Sequence, residues 1–170
     1  CSDGDLMEGV ASEAASLAGH LGLDNLCWIY DSNTVTIEGH TELAFDENVA
    51  ERFRGYGWHV TNVADANDCN RVRSTLEEFR ETKGRPTLII VNSVIGYGAP
   101  DMQGTSKIHS DALGVDEVKK TKTFLGFPPD NDFYVPDGVR ERFHDGIGKR
   151  GAAAREAWEK SFKDYAKEYP

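Results

Sequence analysis

Short apolar runs alternate with helical patterns along the first 125 residues, and this alternation constrains the fold more than any other feature. Three runs are too short for helices and have the composition of buried strands, at residues 26–30, 58–63 and 87–91. Helical periodicity or capping signals mark four further segments, at residues 5–21, 46–54, 68–83 and 115–125. Strands that alternate with helices indicate βαβ units. The sequence therefore predicts an α/β fold, a doubly wound, mostly parallel sheet with helices on both faces.

The first of these helices has an apolar face. Apolar side chains recur at the i, i+3, i+4 and i+7 spacing, and they belong to Met7, Val10, Ala11, Ala14, Leu17, Ala18 and Leu21. Small side chains in the same segment, including Ala15, would let this helix pack closely against its neighbours. Either Gly19 or Gly22 could end the helix, and Gly22 is the predicted end because Leu21 still fits the apolar face.

The pattern changes after Ser93. Residues 96–114 contain four glycines and one proline without periodicity, which predicts a long loop of the kind that is usually functional or disordered. A proline-rich connector follows from Phe127 to Pro136, and a polar helix with one apolar stripe closes the chain. We therefore divide the chain into a first domain, residues 1–126, and a connector with a C-terminal helical linker segment, residues 127–170.

The charge balance excludes two classes of partner. The chain has 29 acidic and 19 basic residues, a formal net charge of -10. Nucleic-acid binding needs a basic face, and an anionic membrane surface would repel this chain. No apolar run approaches the roughly 18 residues of a membrane-spanning helix. We therefore expect neither a nucleic acid nor a membrane as partner.

Cysteine usage indicates the redox compartment. Cys1, Cys27 and Cys69 are an odd number and include no CxxC pair, unlike a disulfide framework or a structural zinc site. Free thiols of this kind are typical of a reducing compartment. The expected location is therefore the cytoplasm.

Two short segments combine hard oxygen ligands with the ends of predicted strands. Asp3 and Gly4 directly precede a helix, and Asn33 follows the strand at 26–30. Ligands of open parallel sheets bind beyond the carboxyl ends of the strands. A carboxylate can hold a phosphate there only through a divalent cation such as Mg²⁺. Asp3, the Asn33 amide and a backbone carbonyl freed by a bend would offer three oxygens to one cation.

The first residues also indicate that the chain is incomplete. The sequence has no initiator Met and no signal peptide, and it begins directly on Cys1-Ser2-Asp3-Gly4. A turn of this kind normally follows a buried strand. We therefore expect the chain to be part of a longer protein.

The pair Asp3-Gly4, followed 30 residues later by Asn33, resembles the thiamine diphosphate binding motif. A longer series of sequence segments resembles the transketolase family specifically, and the similarity covers essentially the whole chain. The similar segments are Ser2–Gly9, Asp31–Asn33, Ile37–Gly39, Phe45–Glu47, Gly55–Trp58, Arg85–Ile89, Ile95–Gly98, His109, Val118–Lys119 and Phe127.

The resemblance implies a role for individual residues. Asp3, the Asn33 side chain and the Val35 carbonyl would bind Mg²⁺ or Ca²⁺, and Gly4 with Asn33 would contact the diphosphate. Ile37 and Ile95 would make apolar contacts with the cofactor.

The catalytic residues implied by the resemblance are His109 and Glu8. His109 matches the family's active-site histidine near the diphosphate and the substrate. Glu8 matches a carboxylate that helps to link two active sites across a homodimer, and Glu13 belongs to the same implied network. Of the remaining histidines, only His40 is kept as a candidate.

The chain departs from the family pattern in two places. Ser2 stands where the family often has Gly, and residues 109–113 are His-Ser-Asp-Ala-Leu where the family often has His-Gly-x-Pro-Leu. Neither departure touches the expected ligands. The second changes the sequence of the expected substrate loop.

The resemblance implies the transfer of a two-carbon ketol unit from a ketose phosphate to an aldose phosphate. It also implies that a preceding segment and a pyrimidine-binding domain, on the same or a partner chain, complete the site, so that these 170 residues alone are inactive. Four alternatives remain open: the cofactor-binding subunit of a split transketolase, a non-catalytic α/β module, a ketol transferase acting on formaldehyde, and a synthase of 1-deoxyxylulose phosphate.

Overall fold

Three parallel strands form the sheet in the computed structural model, which describes residues 1–170. The strands are β1 (Cys27–Ser32), β2 (His59–Val63) and β3 (Thr87–Asn92). Their order is β1-β3-β2, so the last strand in the sequence is the central one. Trp28 and Val60 both pair with Leu88, one on each side. The predicted α/β fold with a parallel sheet is confirmed.

Eight α-helices accompany the sheet, and the chain divides into two compact units, residues 1–129 and 130–170. The helices of the first unit are α1 (Asp3–Met7), α2 (Gly9–His20), α3 (Val49–Gly55), α4 (Cys69–Glu81), α5 (Lys107–Ser110) and α6 (Val115–Phe124). A 3₁₀ turn covers Thr41–Leu43.

Side-chain alternation divides the sheet into two covered faces. Tyr30, Leu88 and Ile90 point to one face, where they form the main core with residues of α1, α2 and α3. On the opposite face, Glu78 of α4 contacts the His59 ring at 2.7 Å and accepts a hydrogen bond from the Thr61 hydroxyl at 3.1 Å. Helices therefore cover both faces, as the sequence predicts.

Aromatic rings dominate the main core. Trp58 packs edge-on against both Trp28 and Phe53, with ring centroids 5.2 and 5.1 Å apart. Its indole N–H donates to the Ala15 carbonyl at 2.8 Å. Edge-to-face aromatic pairs add specific contacts to simple apolar burial, and here they fix α3 on the sheet, whereas the Trp58 hydrogen bond to Ala15 fixes α2.

The predicted helix 5–21 is two helices. The chain becomes extended at Glu8, with φ −75° and ψ 134°, and this residue separates α1 from α2. The predicted apolar face was only partly correct. Ala18 is buried, together with Leu6 and Ala15, but all four large side chains predicted for that face are exposed: Met7, Val10, Leu17 and Leu21. The predicted end at Gly22 is correct, since this residue has φ +62°.

Other boundaries differ by a few residues. Helix α3 is capped by Asn48 and not by Asp46, because the Asn48 side chain accepts from the Glu51 N–H. Asp68 caps α4 as predicted. Strand β1 continues to Ser32, two residues beyond the predicted end at Tyr30. The loop predicted at 96–114 contains the single-turn helix α5.

Gly19 lets α2 approach the segment that follows α3. A Cβ atom at Gly19 would lie 1.8 Å from the Tyr56 carbonyl oxygen, so the backbone would have to move. We expect Gly19→Ala to lower the free energy of unfolding by about 1–2 kcal/mol, because overpacking outweighs the gain of about 1 kcal/mol in helix propensity. Urea denaturation measures the change. Gly9→Ala in the same helix is the control, because its Cβ would meet nothing within 4 Å. Equal stabilities of the two variants would contradict the prediction.

The second unit is helical. It consists of α7 (Val139–Phe143), a π-helical turn (His144–Gly148) and α8 (Lys149–Glu168). The predicted apolar stripe of the closing helix is present but exposed, and the Trp158 and Phe162 rings stack with centroids 5.1 Å apart. No helix combines the length and the apolar character needed to cross a membrane.

Candidate functional site

Residues 1 and 2 extend along the edge of β1 and bring Asp3 to the carboxyl end of that strand. The Asp31 N–H donates to the Cys1 carbonyl at 2.9 Å, and Ser2 forms a parallel bridge with Asp31. The chain then turns into α1. Because Asn33 immediately follows β1, this pairing places Asp3 beside the Asn33 segment, although 30 residues separate the two.

The Asp3 carboxylate is buried and held by three hydrogen bonds; its residue is 2% exposed. The Tyr30 hydroxyl donates to Oδ1 at 2.6 Å. The backbone N–H groups of Asn33 and Thr34 donate to Oδ2 at 3.2 and 3.1 Å. Buried charge needs such compensation, so these bonds explain how an ionised group can stay in this position.

A tight bend follows Asn33. The Asn33 Oδ1 atom accepts from the Val35 N–H at 3.0 Å, and Thr34 between them has φ +62°, a conformation that non-glycine residues rarely adopt. The Thr41 N–H closes the loop by donating to the Thr34 carbonyl at 3.0 Å. The Val35 carbonyl accepts no hydrogen bond. The bend therefore leaves one backbone oxygen available beside Asp3 and Asn33.

One cavity of about 620 Å³ lies at this end of the sheet. Seven of the residues predicted for the site line it: Gly4, Glu8, Asn33, Val35, Ile37, Ile95 and His109. Its other lining residues are mostly polar or acidic, namely Ser2, Asp5, Met7, Asp31, Thr36 and Glu38. Asp3 is not part of the lining, because it is buried behind the Asn33 bend. The cavity thus combines two isoleucines with several hydrogen-bonding groups.

Ile95 and His109 reach the cavity on the long loop after β3. Gly96 has φ +66°, and a Cβ atom there would lie 1.9 Å from Ile108 Cδ1, so only glycine lets the loop fold this closely onto α5. The His109 side chain itself is exposed.

Helix α6 braces the same loop. The buried Glu117 carboxylate accepts from the Asp101 N–H at 2.8 Å, and Lys120 forms an ion pair with the Asp101 carboxylate. The hydrogen bond from the Lys120 ammonium holds the pKa of Asp101 below its usual value. These contacts fix the segment between Ile95 and His109.

Two other candidates lie outside the cavity. Glu13 lines a separate depression with Ser12, Ser16, Leu17, His20 and Tyr56. His40 is exposed, with Nδ1 3.3 Å from the Thr34 carbonyl oxygen. The structure therefore does not bring either residue to the group formed by Glu8 and His109.

The donor set fits a hard cation only when a ligand contributes as well. No three His, Cys, Asp or Glu side chains are grouped to hold a metal by themselves. Around the Asn33 bend the available atoms are one carboxylate, one amide oxygen and one backbone carbonyl. Mg²⁺ is characteristically bound by one or two carboxylates together with water and substrate phosphates. The residues present fit a cation that a diphosphate shares.

The sequence reasoning missed two residues of β1 that support this site. Tyr30 was predicted only as part of a buried strand, although a buried tyrosine hydroxyl usually finds a partner and this could have indicated its contact with Asp3. Burial and the bond to Asp3 raise the pKa of Tyr30 to about 12, so its hydroxyl remains a donor at neutral pH. Asp31 accepts hydrogen bonds from the Ser93 hydroxyl and, at 3.4 Å, from Asn33 Nδ2.

The fold and the cavity define an α/β domain whose candidate site for a cation and a phosphate-bearing ligand lies at the carboxyl end of a parallel sheet. The sequence profile of the transketolase thiamine diphosphate binding domain matches residues 1–170, and the chain belongs to this family. The family predicted from the sequence is therefore confirmed.

Individual transketolases are similar over the whole chain. The transketolase of Geobacillus stearothermophilus is 46% identical over 170 residues, and that of Bacillus subtilis is 42% identical over the same length. These residues correspond to 25% and 26% of the two relatives. The chain thus spans about a quarter of the length of the curated relatives it matches.

Solved transketolase structures share the fold. The Leishmania mexicana transketolase has a TM-score of 0.88 at 40% identity, covering 100% of this chain and 25% of that one. A Pichia stipitis transketolase in complex with sedoheptulose 7-phosphate has a TM-score of 0.87 at 39% identity, covering 99% of this chain and 25% of that one.

Proposed function

We propose that this chain is the diphosphate- and metal-binding part of a transketolase. The assembled enzyme would transfer a two-carbon ketol unit from a ketose phosphate to an aldose phosphate, with thiamine diphosphate and Mg²⁺ as cofactors. The observation that most supports this proposal is the cavity beside the buried Asp3 carboxylate. Seven residues that match the family pattern line that cavity, together with the oxygen donors of the Asn33 bend.

The proposed cation site consists of Asp3, the Asn33 amide oxygen and the Val35 carbonyl, and it would take Mg²⁺ or Ca²⁺. Gly4 has no side chain and would let a diphosphate approach the backbone; Asn33 would contact the same group. Ile37 and Ile95 would exclude water from the apolar part of the cofactor. Thiamine diphosphate, when bound, supplies the electron sink for breaking and forming the carbon–carbon bond.

His109 and Glu8 have proposed roles at the open side of the cavity. The exposed His109 imidazole would donate a hydrogen bond to a phosphate or to the substrate and hold a proton during transfer. Glu8 is also exposed, at the junction of α1 and α2. We propose that it joins the carboxylate network between the two sites of a homodimer.

The remaining parts of the proposal concern organisation. Residues 1–126 would be the later part of the diphosphate-binding domain, and residues 127–170 the connector and linker helix. A preceding segment and a pyrimidine-binding domain, in the same or a partner chain, would complete the site. The proposed location is the cytoplasm.

Comparison of the isolated chain with the assembled enzyme tests this function. Because the cavity would hold only the diphosphate half of the cofactor, we expect the isolated 170 residues to bind thiamine diphosphate and Mg²⁺ poorly and to transfer no ketol unit. Addition of the missing transketolase segments should restore both properties. Calorimetric titration and a coupled ketol-transfer assay measure them, and circular dichroism shows whether the isolated chain is folded.

Two results would contradict the proposal. One is an isolated monomer that transfers a two-carbon unit without help, and the other is an assembled complex that binds the cofactor but transfers none. Formaldehyde as the acceptor in the same assay distinguishes a transketolase from a ketol transferase specific for formaldehyde.

A further inference from the structure

The lone pairs of the Asp3 carboxylate are almost fully used. An ionised carboxylate offers about four lone-pair positions on its two oxygens. The N–H groups of Asn33 and Thr34 take both positions on Oδ2, at 3.2 and 3.1 Å. The Tyr30 hydroxyl takes one on Oδ1, at 2.6 Å. A single position, on Oδ1, is left for a cation.

Tyr30 is the only one of these three donors that a side-chain substitution can remove, because the other two are backbone groups. Its ring belongs to the main core with Leu6 and Ile90, and the residue is 4% exposed. The ring therefore has a fixed place independent of the hydroxyl. The short bond to a buried acceptor in turn holds the hydroxyl against Oδ1.

We propose that Tyr30 is a positioning residue that directs the one free lone pair of Asp3 toward the metal and so shifts the preference of the site from Ca²⁺ toward Mg²⁺. Mg²⁺ requires near-ideal octahedral geometry, whereas Ca²⁺ takes more ligands in flexible arrangements. Without the hydroxyl, Oδ1 has two free lone pairs and no bond that fixes which of them faces the metal, while Oδ2 stays occupied by the Asn33 and Thr34 N–H groups. This inference rests on the proposed function, because it requires the cation site at Asp3.

The experiment uses the assembled enzyme that contains these residues, with the variant Tyr30→Phe. Calorimetric titration of thiamine diphosphate binding at increasing Mg²⁺ or Ca²⁺ gives the half-saturating concentration of each metal. Loss of a group that orients a metal ligand weakens affinity by about 10- to 100-fold. We expect the half-saturating Mg²⁺ concentration to rise by about tenfold and that of Ca²⁺ to change by less than about twofold. The Ca²⁺ to Mg²⁺ preference thus moves by about tenfold.

Tyr56→Phe is the matched control. Tyr56 also packs against the main core, but it makes no hydrogen bond to Asp3, so its loss should leave both half-saturating concentrations unchanged. Equal weakening of both metals in Tyr30→Phe would mean that Tyr30 acts only through the fold and would overturn the proposal. No change for either metal would overturn it as well.

A second measurement uses the wild-type enzyme and does not depend on how the variant folds. Infrared difference spectra, metal-bound minus metal-free, report whether a carboxylate contacts the metal with one oxygen or two. We expect the wide splitting between the two carboxylate stretching bands that marks one-oxygen contact with Mg²⁺. The narrow splitting that marks two-oxygen contact would overturn the proposal. If the wild type and Tyr56→Phe take up no metal with the cofactor, the proposed function itself fails, and the inference about Tyr30 fails with it.

Discussion

Replacement of Asp3 by alanine should abolish the binding of thiamine diphosphate with Mg²⁺ to the assembled enzyme. Asp3 is the one buried carboxylate at the proposed cation site, and the other two donors, on Asn33 and Val35, are neutral. Without this negative charge the site would hold the metal too weakly. The phosphates would then lie against the acidic lining of the cavity, and too little metal would be bound to neutralise their repulsion. Calorimetric titration at saturating Mg²⁺ should give no measurable heat of binding.

Asp65→Ala provides the matched control for Asp3→Ala. The Asp65 carboxylate also holds a turn, by accepting from the Asn67 N–H at 2.9 Å, but it does not line the cavity. The Asp65→Ala enzyme should bind the cofactor with unchanged affinity. Unchanged affinity in Asp3→Ala as well would rule out Asp3 as a metal ligand. If Asp3→Ala does lose binding, Asp3→Asn shows whether the shape of the side chain without its charge is sufficient.

A second large effect is expected at His109. His109→Ala should lower the turnover of ketol transfer by about 100-fold, the lower part of the range for a positioned acid–base group. The reason is that His109 lines the cavity and its loop is braced by Glu117, which in the proposed site would place the imidazole beside the reacting groups. Steady-state kinetics of the assembled enzyme, with turnover and Michaelis constant measured separately, test this.

His144→Ala serves as the comparison for His109→Ala. His144 is an exposed histidine of the second unit with Asp145 as its neighbour, and its loss should leave turnover unchanged. If His109→Ala turns over like the wild type, His109 lies outside the reacting site. A variant changed only in its Michaelis constant would assign His109 to substrate binding alone.

The strands and most helix boundaries were predictable because their signals are local. A run such as Thr87 to Val91 can hardly be anything but a buried strand, and Asp68 is a strong cap wherever it precedes a helix. The core-facing side of α2 was not predictable. Both sides of this helix are apolar, and only the tertiary structure decides that Ala15 and Ala18 face the sheet while Leu17 does not.

The site was predictable as a group of residues but not as a geometry. Their positions at predicted strand ends, and then the resemblance, singled out Asp3 and Asn33, and parallel-sheet topology explains why they meet. No sequence pattern indicated that Thr34 adopts a left-handed conformation, because few non-glycine residues do so and the cost is covered by contacts made elsewhere. The hydrogen bond from Tyr30 to Asp3 was missed because it joins residues 27 positions apart.

The strand order also has a consequence for the biosynthesis of this domain. β3 lies between β1 and β2, so neither of the two earlier strands can pair with β3 until Asn92 has left the ribosome. The edges of β1 and β2 that pair with β3, which include Ile29 and Val63, therefore stay unpaired for the interval of synthesis that separates them from β3. Because the pairing of Cys27 with Thr87 closes a long loop, it is also a slow step. Edges that are unpaired during synthesis are prone to aggregation, so slower translation once Asn92 has emerged would favour correct folding of this domain.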